Sequence, residues 1–305
     1  MFPVLFEIGP LRFYSFGLML ALAFLVGNFV LREELRRRGI RGKGPKGKKD
    51  PGPDDIASAV TLIALVAGLA GAKILSVIED WDAFLRDPSI LWSPGGLTWY
   101  GGFVLAIGII IAYLRRIAVP VLRFLDCLAI ALIIAYGVGR IGCHLAGDGD
   151  YGIPTRLPWG TIYAEGTAKP SRMTADYFRR NPEARTEWQY DSLRAIPAGV
   201  DRLGNAYTRF DEVTAMHPTP IYELLLGIAG FLLLRAFSGR GWPDGRIFAL
   251  YLLLASSFRF TVEFLRLQPR LLFGLTEAQL FAIVLFATGL WLWARSGRSA
   301  EPAAR

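Results

Sequence analysis

The chain has 305 residues, 53% of them hydrophobic and only 20% charged, with a mean hydropathy of +0.36. Water-soluble domains carry about 25% charge and less apolar residue, so a soluble two-domain enzyme and a largely disordered chain are both excluded. Two cysteines, Cys127 and Cys143, rule out a disulfide framework and a Cys-rich zinc module; the net charge of +8 raises a nucleic-acid partner, which the placement of the 34 Lys and Arg decides.

A span of roughly 30 Å of hydrocarbon needs about 17–25 helical residues. The first such run covers residues 16–31. It starts too far in and lacks a basic n-region and a small-residue cleavage site, so it reads as a retained helix and not a removable leader. After it comes a basic loop, residues 32–53, holding Arg32, Arg36, Arg37, Arg38, Arg41, Lys43, Lys46, Lys48 and Lys49. Its Gly, Pro and Lys content from Arg41 to Pro53 reads as a mobile linker, and the absence of interleaved aromatics argues against nucleic acid. Runs at 56–77, 97–114 and 122–138 give three more helices. A long polar segment follows, with an exterior head insertion at 154–216. Runs at 220–234, 247–265 and 277–294 complete seven helices, expected to form a single all-α transmembrane domain, residues 1–305.

Basic residues choose the orientation. Arg115, Arg116, Arg123, Arg235, Arg240, Arg246, Arg295, Arg298 and Arg305 fall on the side of the basic loop, while the short opposite loops carry only Arg12, Arg86, Arg266 and Arg270. The positive-inside rule places the C-terminus in the cytoplasm and the N-terminus outside. The charge therefore sets topology, and nucleic acid is not an expected partner.

Ionisable groups at membrane depth cost roughly 2.5–3.5 kcal/mol on insertion scales and need a reason. Lys73 lies late in the second helix, Arg140 closes the fourth, and Arg259 and Glu263 stand four apart on one face of the sixth, with Arg266 three further on. An intrahelical ion pair explains Arg259 with Glu263 in part; an anionic ligand explains two intramembrane arginines better. Gly101 and Gly102 in WYGGF, and the glycines around Arg140 in YGVGRIGCHLAGDGDYG, suggest a broken or re-entrant backbone whose N–H groups hold phosphate oxygens. Close packing by small residues accounts for Gly101 and Gly102 equally well. Cys143, His144, Asp148 and Asp150 match no zinc spacing, so no metal is expected. In MHPTPIYELL, Pro218 and Pro220 start the fifth helix, and Glu223 is expected in its first turn, where it suits the helix dipole; Tyr222 and Glu223 are also site candidates.

The motifs FPVLFEIGPLRFYSFGLML, WYGGF, GRIGCHLAGDGDYG, LPWG, HPTPIYE and FRFTVEFLR followed by QP, in this order, resemble those of bacterial prolipoprotein diacylglyceryl transferases. The resemblance runs from Phe2 to the last helix, leaving the basic loop and residues 167–214 unmatched. It implies an inner-membrane enzyme of lipoprotein biosynthesis that moves a diacylglyceryl group from phosphatidylglycerol to the lipobox cysteine of a preprolipoprotein. No cofactor is implied. On this reading Arg140, Gly101, Gly102, Gly142, Asp148, Tyr222 and Glu223 bind the phospholipid, Arg259 holds its phosphate together with Arg140, Glu263 fixes Arg259, and Tyr100 or His144 handles the thiol proton.

Three positions depart from the family pattern. Its His-Gly-Gly is Tyr100-Gly101-Gly102, the Asn after Gly-Arg-x-Gly is Cys143, and the tyrosine before Gly-Leu-Met is Phe16. These changes leave open a non-catalytic phospholipid-binding or transport paralogue, and a related transferase with another acceptor.

Overall fold

The computed structural model describes residues 1–9, 11–47, 49–93, 98–180, 195–200, 206–210 and 214–298. Lys48, Leu97, Arg305 and residues 181–194, 201–205 and 211–213 of the expected head lie outside the described residues. The chain divides into two compact units, Asn28–Leu128 and the remainder, Met1–Gly27 with Ala129–Arg305. The boundaries fall inside α1 (Ser15–Arg37) and α5 (Val121–Ala146).

In the unit Asn28–Leu128, α2 (Pro53–Glu79) packs on α4 (Trp99–Arg116). Between them lie a short helix, α3 (Trp81–Arg86), and a 3₁₀ turn at Pro88–Trp92. The α2–α4 contact is made by glycines. A Cβ on Gly101 would stand 2.3 Å from the Gly71 carbonyl oxygen, and one on Gly102 would stand 2.4 Å from that of Gly68. Backbones can approach this closely only without side chains, which accounts for Gly101 and Gly102 as packing residues. Gly101→Val is accordingly expected to destabilise the fold by about 1–3 kcal/mol, read as a lower thermal midpoint in detergent. Gly108→Val, facing open space, should leave the midpoint unchanged.

The basic loop is tied at both ends, contrary to the mobile linker its composition suggests. Gly42 N–H donates to Pro51 O at 3.0 Å, Lys43 N–H to Ile117 O at 2.7 Å and Gly44 N–H to Asp50 at 2.8 Å. Ile40 is buried. Beside the loop, Arg38 pairs with buried Asp126 at 3.3 Å.

The other unit begins with an antiparallel hairpin, β1 (Val4–Ile8) and β2 (Leu11–Tyr14), turning at Gly9. Alternating Phe and Leu around Ile-Gly-Pro-Leu carry that signal in the sequence. It continues through the end of α5, α6 (Pro170–Arg180), α7 (Thr219–Ser238), α8 (Arg246–Glu263) and α9 (Glu277–Arg298). Among the described residues, the other strands form two short pairs: β3 (Thr161–Ile162) with β6 (Ala215–Met216), and β4 (Ala195–Val200) with β5 (Ala206–Phe210). Tyr151, Tyr163, Tyr177, Met216 and Leu267 form a buried cluster, with Tyr151 stacked on Tyr163 at 4.4 Å.

Five helices among the described residues are long and apolar enough to cross a membrane: α1, α2, α5, α7 and α9. The two other expected spans are present as the 18-residue helices α4 and α8. Leu25, Phe29, Leu62, Val104, Leu232 and Val284 point outward; apolar helical faces of this extent suit hydrocarbon and not water. The chain is a multi-pass, predominantly helical membrane protein.

One local expectation fails. α5 does not break at its glycines but runs unbroken to Ala146, carrying Arg140, Cys143 and His144 on regular helix. Gly142 packs on α1, where a Cβ would meet Met19 at 3.0 Å and Phe16 at 3.4 Å. Packing against other helices thus offsets the low helix propensity of glycine. The chain turns only afterwards, at Gly147 (φ +58°) and Gly149 (φ +93°), conformations that favour glycine.

Candidate active site

Three arginines and three carboxylates meet in the unit that contains α7 and α8. On α5, Tyr136 and Arg140 are one turn apart, and the guanidinium lies over the phenol ring, 4.7 Å from its centroid. On α8, Arg259 and Glu263 are also one turn apart and pair at 2.8 Å. Glu223 of α7 stands between the helices. It accepts from Arg259 Nη1 at 3.0 Å and from the Tyr136 hydroxyl at 2.8 Å, and pairs with Arg140 Nε at 3.0 Å, with Arg266 Nη1 at 3.7 Å. Glu223 is the fifth residue of its helix and not in the first turn; guanidinium groups, more than the helix dipole, hold its charge.

Asp150 closes the ring. Its carboxylate pairs with both Arg140 and Arg266. The loop is fixed by a hydrogen bond from the Thr219 hydroxyl to the Asp150 carbonyl, by Gly152 N–H on His217 O at 2.8 Å, and by Ile153 N–H on Leu265 O at 2.7 Å. Two aspartates near a cluster of arginines thus have a physical reason: Asp150 balances two of the guanidiniums. Below the ring, the Thr276 hydroxyl donates to Glu263 at 3.0 Å, and the Gln279 side chain accepts from Thr276 N–H at 3.0 Å.

Exposure separates the arginines. The Arg266 side chain is 3% exposed, Arg140 17% and Arg259 29%. Arg266 is therefore part of the framework, whereas Arg259 and Arg140 keep edges that a ligand can reach. The formal charges of the six side chains cancel, which offsets part of the cost of burying each of them.

The other expected site residues lie elsewhere. His144 Nδ1 is 3.0 Å from the Tyr163 hydroxyl. The Tyr222 hydroxyl accepts from Trp159 Nε1 at 2.8 Å and lies 3.1 Å from His217 Nδ1. Burial pushes His217 below its ordinary value, which keeps this imidazole neutral at physiological pH. Tyr100, Gly101 and Gly102 are on α4, in the unit Asn28–Leu128. Asp148 lines an open cleft of about 490 Å³ between the hairpin, the start of α1 and the end of α5. Cys143, Asp148 and Asp150 bring possible ligand atoms within 4.8 Å of one another, but the Asp150 oxygens already face two guanidiniums, whose charge opposes a cation there. Asp150, Arg266, Tyr136 and Thr276 were not among the expected site residues.

Residues 3–295 match the family model of prolipoprotein diacylglyceryl transferase. The chain belongs to this family. Relatives in the prolipoprotein diacylglyceryl transferase family extend along the whole match. The phosphatidylglycerol–prolipoprotein diacylglyceryl transferase of Clostridium tetani is 27% identical over 88% of this chain and 86% of its own length. That of Geobacter sulfurreducens is 28% identical over 94% and 92%, and that of Xanthomonas campestris 29% over 97% and 92%. The resemblance carried by the six motifs therefore holds at the level of the whole chain, and the chain is a transferase of this family.

Proposed function

We propose that the chain transfers a diacylglyceryl group from phosphatidylglycerol to the lipobox cysteine of preprolipoproteins, at the outer face of a bacterial inner membrane. All seven long helices cross the bilayer in this reading, with the N-terminus outside and the C-terminus in the cytoplasm; the distribution of basic residues supports it. The observation that carries the reaction is the pair of reachable guanidiniums, Arg140 and Arg259, held on one buried carboxylate, Glu223.

The step is a displacement. The thiol sulfur bonds to the glyceryl carbon as that carbon's bond to the phosphate oxygen breaks, and the electron pair leaves on glycerol phosphate. Negative charge grows on the leaving phosphate, where preorganised cations are most effective. Arg259 and Arg140 face that charge. Glu223 and Glu263 fix Arg259, and Asp150 with Arg266 fixes Arg140 from the loop side. Tyr222, held by Trp159 and His217, borders the phospholipid. The family's imidazole is replaced by Tyr100, so the thiol proton falls to another acceptor or to this phenol.

Incubating the purified chain with phosphatidylglycerol vesicles and a lipobox peptide is expected to give a diacylglyceryl-thioether peptide and glycerol phosphate in equal amounts, read by mass spectrometry. Phospholipid binding without this product would instead support a lipid-binding or transport paralogue.

A further inference from the structure

We propose that the open cleft next to the arginine ring receives the acceptor's cysteine side chain, and that the Asp148 carboxylate takes its thiol proton. This rests on the transferase reading and assigns the acceptor side of the same site. The cleft, about 490 Å³, falls within the size range of small-ligand sites. Its walls are mostly apolar or small: Pro3 just before the hairpin, Tyr14 at the end of β2, Phe16 and Gly17 from α1, Ala146 from α5 and Thr167 beyond it. Among the described lining residues, only Asp148 carries a carboxylate.

Charge decides which substrate meets Asp148. The lipid phosphate is an anion and is drawn to Arg140 and Arg259; a carboxylate repels it. A thiol is neutral, small and a proton donor, and suits a carboxylate at the end of an apolar cleft. The two sites adjoin, since an Asp148 oxygen lies within 4.8 Å of an Asp150 oxygen and Asp150 pairs with Arg140. A sulfur already sits beside this carboxylate: Cys143 Sγ is within the same 4.8 Å.

The rival acceptors are less suited. His144 Nδ1 is turned to the Tyr163 hydroxyl, and a phenol such as that of Tyr100 has an ordinary pKa near 10, a poor base at neutral pH. The groups around Asp148 are Cys143 and Arg140 from α5, Asp150 from its own loop, Tyr163 from the following segment, Arg266 beyond α8 and, across the cleft, the phenol of Tyr14 from β2. Desolvation lifts the Asp148 carboxyl above its usual value, against the opposing pull of Cys143, Arg140 and Arg266. A carboxylate raised in this way is a better proton acceptor near neutral pH. In the step, the S–H proton passes to Asp148 as the S–C bond forms and the C–O bond breaks; Asp148 then releases it to water.

Asp148→Asn is expected to lower kcat at pH 7 by about 100-fold or more, the usual effect of a general base, with KM for phosphatidylglycerol unchanged. The deficit should shrink with rising pH and nearly vanish above about 8.5, where the acceptor thiol ionises unaided; Asp148→Glu should restore most of the rate. If the Asn variant does not fold, Asp148→Ser gives the same reading. A rate within threefold of native at pH 7, a deficit equal at every pH, or lost phospholipid affinity would each overturn the proposal. So would a pH-rescued deficit in Tyr100→Phe or His144→Gln in place of Asp148→Asn. The native chain, measured first, tests the transferase reading by itself: no thioether at any pH removes that reading, whereas an active native chain with an unaffected Asp148→Asn removes only the proposal.

Discussion

Glu223→Gln is expected to cost about 3–5 kcal/mol of stability, the usual effect of stripping one partner from a buried ion pair, and to remove phosphatidylglycerol-dependent activity. Glu223 is 4% exposed and meets Arg140, Arg259 and the Tyr136 hydroxyl at 2.8–3.0 Å. Glutamine keeps the shape but removes the charge, leaving three guanidiniums against only Glu263 and Asp150. One of the two carboxylate oxygens becomes an NH2 donor, so Arg140 and Arg259 can no longer both be held on this side chain. The thermal midpoint in detergent should fall by several degrees, and the fall should be smaller when an anionic phospholipid is present to supply the missing charge. An unchanged midpoint with unchanged activity would show that Glu223 does not organise the cluster.

The membrane fold was legible because its signal is composition. Long apolar runs gave all seven helices within a few residues, and only their ends misled: α1 and α5 continue six and eight residues past the expected 31 and 138. At the end of α5 the glycines suggested a break, but the local pattern does not show Gly142 packing on Phe16 and Met19. The N-terminal hairpin carries a strand pattern so short that the adjoining helix overshadows it. Gly71 and Gly101, 30 residues apart, touch only because α2 and α4 pack side by side.

Within the site, the arginines were legible because intramembrane charge is costly. Their arrangement was not. Arg266 stands three residues after Glu263 and seven after Arg259, a spacing that already puts all three near one helix face. Asp150 was harder to find. Asp148 and Asp150 are equivalent by eye in GDGDYG, and only the turns at Gly147 and Gly149 send one to Arg140 and Arg266 and the other to the cleft. Tyr136 gave one usable sign, an aromatic ring one turn before an arginine.

In the proposed reaction, Arg259 is the residue on which reception of the lipid phosphate and stabilisation of its departure most depend. It is the most exposed of the three guanidiniums, and Glu223 and Glu263 together fix its direction. Lysine at this position keeps the charge but cannot span both carboxylates and still face a phosphate, so Arg259→Lys should recover little. The direct measurement is the rate of thioether formation on a lipobox peptide in phosphatidylglycerol vesicles, native chain against Arg259→Ala. A fall in kcat of about 10²–10³ is expected, the scale set by losing one preorganised donor to a developing anion; thioether formation at the native rate would mean that Arg259 does not stabilise the leaving phosphate.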